Sequence, residues 1–175
     1  MLQKKENAPL ILIYGEGSDD ADFAKHIKSI YGKGQKATID NGNGGSPVNV
    51  LKDMRNHVVF EVADRRYILV DSDREQDLNN MLEKIQAESL NVIPIIAEQC
   101  LEHEILKILK ASKGILARTR CNSQTAKKEL AKICDMSKTS YNRLLSKPVL
   151  DEARKTNNWL DSIIKIYEFE AEPSD

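Results

Sequence analysis

The chain has 175 residues, with 26 Lys and Arg against 27 Asp and Glu and a formal charge of −1. That length suits a single domain with a real core, and the balanced charge excludes a global field drawing the whole molecule onto nucleic acid or an acidic membrane. No apolar run approaches the roughly 20 residues of a membrane helix, and the stretch after MLQKKENAP is too short for a secretory leader, so a cytoplasmic protein with no membrane partner is expected.

Along the chain, PLILIY (Pro9 to Tyr14) is a continuous β-prone apolar run cut off by GEGSDD, as in a strand buried on both faces. SDDADFAKHIKSIY follows with a capping residue, acids in its first turn, and Phe23, Ile27 and Ile30 at helical spacing. QKATID predicts a second strand, NGNGGSP a glycine-rich loop, and VNVLKDMRNHVVF a helix opened by Pro47. YILV (Tyr67 to Val70) is a third buried strand. REQDLNNMLEKIQAESL places Leu78, Met81, Leu82 and Ile85 on one helical face, and NVIPII is a fourth strand whose proline puts it toward an edge. The order βαβαβαβ implies an α/β fold, a mostly parallel four-stranded sheet with right-handed crossovers and helices on both faces. Such sheets hold ligands at the carboxyl ends of their strands.

From Cys100 the pattern is helical, through CLEHEILKILKAS, QTAKKELAKICDM, KTSYNRLLSKPVLDEARK and NNWLDSIIKIYEF. The organisation expected is an α/β domain over residues 9–112, a C-terminal helical extension of the same domain over 113–170, and a disordered tail at 171–175. Cys100, Cys121 and Cys134 have no ligand spacing and are expected to be reduced, structural thiols.

Asp71 and Asp73 share a period-2 face just beyond the third strand, so their carboxylates can enter one space. Glu16, just past the first strand, joins them if strands one and three are neighbours. Carboxylates held together repel and raise one another's pKa unless a cation compensates them. Oxygen-only ligands suit the hard cations Mg²⁺ or Mn²⁺, which take substrate phosphates as further ligands. Asp19, Asp20 and Asp22 are candidates for a further ligand, though acids in a first helical turn also serve the helix dipole.

LILIYGEGSDDADF followed by YILVDSDRE resembles the Toprim domain, with a glutamate in a G-E-G-like turn after the first strand and an aspartate pair after a later one. NGNGGSPVNVL and CLEHEIL are similar to the RloB-like and OLD-type nuclease branch. In that branch a helix after the fourth strand carries a Cys-Phe-Glu-Leu-Trp-like motif, which by position implies Glu102 as a further acidic ligand. Glu104 stands where a tryptophan is common, and since the two glutamates diverge by about 200° on a helix, only one can face the site. The resemblance implies a Toprim-type, Mg²⁺- or Mn²⁺-dependent nuclease on DNA or RNA. Glu16, Asp71, Asp73 and Glu102 would hold the metal, and Lys107 or Arg74 would neutralise phosphate charge. It further implies a role in phage defence or nucleic-acid repair, with a separate ATPase subunit as a candidate partner; whether copies of the chain associate stays open.

Between Ile105 and Lys128 lie Lys107, Lys110, Lys113, Arg118, Arg120, Lys127 and Lys128 with no acid among them, a local charge of +7. Lys107, Lys110, Lys113, Arg118 and Arg120 are the expected nucleic-acid contacts, made to backbone phosphates. Trp159 and Tyr141 are expected in core packing, and His103 as a surface residue. The rival to catalysis is a binding module that holds Mg²⁺ and docks nucleic acid or a partner protein without turnover. A receiver-like phosphoacceptor lacks its lysine after the last strand, where IIAEQC stands.

Overall fold

β-Branched and large aliphatic residues run together in LILIY, YILV and IPII, and each of these runs lies in a strand of the computed structural model, which describes residues 8–113, 123–134 and 138–168; the more polar KATIDN forms the remaining strand. The strands are β1 (Leu10–Gly15), β2 (Lys36–Asn41), β3 (Arg65–Asp71) and β4 (Ile93–Ala97), all parallel, in the order β2-β1-β3-β4. Pro94 lies in β4, at an edge, where a missing N–H is tolerated.

Helices α1 (Ser18–Tyr31), α2 (Pro47–Arg55) and α3 (Glu75–Ala87) connect the strands. After β4 come α4 (Leu101–Lys113), α5 (Ser123–Ala131), α6 (Lys138–Leu144), α7 (Lys147–Ala153) and α8 (Asn158–Tyr167). Alternate strand residues serve different cores. Ile11, Ile13 and Leu69 pack with Phe23 and Ile27 of α1, Leu106 of α4 and Ile163 of α8. Leu12, Ile68 and Val70 pack on the opposite face with Val50 and Met54 of α2 and Met81 of α3. This two-sided burial is why β1 and the second half of β3 read as unbroken apolar runs. Leu12 and Ile13, fully buried on opposite faces, each contribute about 1.5–3 kcal/mol.

The chain leaves β1 toward β2 on one side and leaves β3 toward β4 on the other. The carboxyl ends of β1 and β3 therefore flank the point where the winding reverses, the usual crevice for ligands in such sheets.

Three element boundaries differ from expectation. The helix expected to reach Phe60 ends at Arg55. The following Asn-His-Val-Val run is poor in helix formers, and the Val59 N–H donates to His57 Nδ1 at 3.2 Å, a local turn that competes with the helix. α3 stops at Ala87, short of Leu90, and Ser89 has a φ of 49° in the left-handed region that ends helices. KTSYNRLLSKPVLDEARK divides into α6 and α7 around extended Ser146, with Pro148 in the first turn of α7. Arg118, Arg120, Cys121 and the tail 171–175 lie outside the described residues. Neither Cys100, which is buried, nor Cys134, which is half-buried, is in a disulfide. Among the described residues no helix is long and apolar enough to cross a membrane.

Candidate metal centre

Parallel pairing of β1 with β3 sets Gly15 opposite Leu69, and the next residue, Glu16, donates its N–H to the Leu69 carbonyl at 3.1 Å. Glu16 Oε2 in turn accepts the Asp71 N–H at 3.3 Å. Two carboxylates distant in sequence are thus laced to one spot. The G-E-G turn then sends the chain into α1, whose first turn folds back so that Asp20 Oδ2 accepts the Gly17 N–H at 2.9 Å. A Cβ on Gly15 would lie 2.7 Å from Asp20 Cβ and 3.0 Å from Ala21 N, so only glycine admits this close approach of helix and strand.

Glu102 enters from α4. A cavity of about 200 Å³ is lined by Glu16, Asp19, Asp20, Asp71, Glu102 and Lys127, with Gly44 of the glycine-rich loop on its wall. Gly44 and Gly45 have φ of 77° and 125°, and the Gly42 N–H donates to the Gly15 carbonyl at 3.0 Å, holding the loop against the β1 end. Asp73 is exposed and does not line the cavity, although its charge acts on Glu16 and Asp71. Asp22 is exposed and pairs with Lys25 at 3.1 Å.

The electrostatics follow from this crowding. Burial, and then the charges of Asp20, Glu16, Asp73 and Glu102, push the Asp71 carboxyl up to about 8. Burial pushes Asp20 to about 7 against the opposing Gly17 N–H, with Glu16 and Glu102 adding to the rise. Glu16 is also raised, mainly by burial. Asp71 Oδ1 is buried with no hydrogen-bond partner. A buried acceptor of this kind is costly unless something positive meets it. All five acids that line the cavity offer oxygen only, so the donor set fits a hard divalent cation.

The two α4 glutamates face different surroundings. Glu102 lines the cavity with Lys127 Nζ 3.8 Å from its carboxylate. Glu104, 1% exposed, turns away and accepts from the Glu98 N–H at 3.0 Å, Lys107 Nζ at 3.0 Å and Asn157 Nδ2 at 3.1 Å. Lys107 therefore does not reach the acidic cavity as expected: its ammonium bridges Glu104 and Glu98, the latter at 2.7 Å. Coulombic attraction strengthens as the effective dielectric falls, which favours the pairing of Lys107 with the buried Glu104. His103 is buried, not on the surface, with Nδ1 3.1 Å from the Glu98 carbonyl oxygen.

Glu98, His103 and Glu104 bring ligand atoms within 4.8 Å of one another and could hold a metal ion. Lys107 already pairs with both carboxylates of that group, whereas the acidic cavity contains an unsatisfied oxygen, so the cavity is the stronger candidate. Of the other expected basic contacts, Lys110 faces a different cavity and Arg118 and Arg120 lie outside the described residues, as does the side chain of Lys113. Arg74 is exposed, 3.4 Å from the Gly45 carbonyl, and its charge lowers the Glu16 pKa. Lys127, from α5, is the basic side chain among the described residues that lines the acidic cavity. Its place in the basic stretch was legible in sequence, but its position depends on how α5 packs on α4. No protein-family model, curated protein or solved structure matches the chain.

Proposed function

We propose that the acidic cavity binds Mg²⁺ or Mn²⁺ and that the chain hydrolyses phosphodiester bonds in DNA or RNA, as its resemblance to Toprim nucleases implies. The observation that carries this reading is the buried, partnerless Asp71 Oδ1 among four further carboxylates at the switch point of the sheet. Glu16, Asp20, Asp71 and Glu102 would hold the cation, with Asp73 at the exposed rim. When bound, a divalent metal acidifies water and neutralises charge on a phosphoryl oxygen.

The chain's own groups supply the rest. Gly15 and the Glu16–Asp71 hydrogen bond fix two carboxylates before any ligand arrives, so little reorganisation is needed on binding. Lys127 opposes Glu102 at the cavity wall and is the group placed to attract a phosphate oxygen, the role expected of Lys107. The RloB-like and OLD-type resemblance extends the proposal to phage defence or repair alongside a separate ATPase subunit.

The test is incubation of the purified chain with labelled single- and double-stranded DNA and RNA in Mg²⁺ or Mn²⁺, beside Asp71→Asn and an EDTA control. Cleavage abolished in both controls is the expected result. Metal-dependent retention of nucleic acid without product would overturn catalysis and assign a binding module.

A further inference from the structure

On the other side of α4 from the acidic cavity lies a larger one of about 700 Å³. The carboxyl end of β4 forms its floor through Ile96 and Ala97; α4 contributes Lys107, Lys110 and Ala111; and Thr156 to Trp159, where α8 begins, close it. Its volume falls in the range of small-molecule pockets, roughly 300–1,000 Å³. Its chemistry differs from that of the acidic cavity. Two lysines stand against Glu98 and Glu104, so the lining carries no net charge. The remaining surface combines an indole ring, aliphatic side chains, two side-chain amides and two hydroxyls. That combination suits a flat, neutral, heteroaromatic ligand with hydrogen-bonding edges, and not an anion.

The pocket is also preorganised. Asn157, 8% exposed, donates to Glu104 and caps α8 by accepting the Leu160 N–H at 2.9 Å, while Trp159 stacks on Phe23 with centroids 5.3 Å apart. Adjacent residues at the end of β3 line the two cavities. Asp71 lines the acidic one and Ser72 the neutral one, residues whose Cα atoms are about 3.8 Å apart. A ligand with a phosphate at one and a base at the other would pass over this end of β3.

We propose that the cavity bounded by β4, α4 and the start of α8 is a nucleobase pocket, seating the nucleoside next to the phosphate held at the acidic cavity. The second half of that statement rests on the proposed phosphodiesterase reading; base binding itself does not. The chain has one tryptophan, and it is in this pocket, so its fluorescence reports occupancy directly.

The experiment titrates the full chain in EDTA with adenosine, guanosine, cytidine and uridine, reading Trp159 emission and, independently, calorimetric heat. Ala111→Phe, on an exposed turn of α4, fills the pocket without deleting any polar group. Saturable quenching by at least one nucleoside, weakened about tenfold or more in Ala111→Phe with an unchanged melting temperature, is the expected result. No saturable response in the wild-type chain, a response equal in the variant, or a response to inorganic phosphate in place of nucleosides would each overturn the proposal. Because neither metal nor cleavage enters the assay, its failure leaves the nuclease test standing. A failed nuclease test likewise leaves base binding intact.

Discussion

The Asp71 carboxyl, pushed up to about 8 by burial and by the acids around it, has an ordinary value of 3.8. Between those values the folded chain keeps a proton that the unfolded chain has released, so without metal its stability falls as pH rises through that window. Asp20, pushed to about 7, adds to the same slope. The melting temperature of the metal-free protein is therefore expected to fall from about pH 5 to about pH 8. Asp71→Asn should remove much of that slope and raise metal-free stability at the alkaline end, by an amount on the order of a few kcal/mol. Added Mg²⁺ should stabilise the wild type near pH 8 far more than the variant, since ions that bind the folded state alone stabilise by mass action. Parallel melting curves for the two proteins across pH would remove Asp71 from the site.

The β1–α1 turn is the element on which the acids depend. Gly15→Ala would drive a methyl against Asp20 Cβ and the Ala21 backbone, and overpacking of that kind costs about 1–3 kcal/mol. Urea denaturation should report that loss, and Mn²⁺ calorimetry should show weakened binding because Glu16 and Asp20 lie on either side of the displaced backbone. Unchanged Mn²⁺ affinity with reduced stability would mean that the turn matters to folding alone. This turn was fully legible in sequence, because an apolar run, a glycine and first-turn acids are all local signals. Glu16 and Asp71 as partners were legible only on condition that β1 and β3 pair. What was not legible depended on tertiary packing. The sequence period shows that Glu102 and Glu104 diverge, but which faces the acids is decided by Asn157, Lys107 and the Glu98 N–H, which capture Glu104 from elements distant in the chain. The same capture explains why Lys107, near Glu102 in sequence, serves the opposite side of α4. Asp20 read more readily as a dipole-matching cap than as a ligand, and it is bonded to the Gly17 N–H while also lining the cavity.

Over the whole molecule a charge of −1 conceals a division of labour along the carboxyl edge of the sheet. The acidic cavity would repel phosphate unless a cation compensated it, Lys127 and Lys128 on α5 supply local positive charge, and the neutral cavity beyond α4 carries no net charge. These regions should separate in their salt dependence. Each phosphate neutralised by a lysine adds about 0.9 to the slope of log affinity against log salt on duplex DNA and about 0.7 on single strands. With Ca²⁺ as the divalent ion, oligonucleotide binding followed by anisotropy should be weak without metal and steeply salt-dependent with it. Replacing Lys127 and Lys128 by alanine should lower the slope by about 1–2, similarly for every sequence tested. Ala111→Phe should lower affinity while leaving the slope unchanged, because an uncharged contact releases no counterions. If the lysine variant binds with the wild-type slope, nucleic acid does not approach the acidic cavity across α5, and the path must run over another part of the surface.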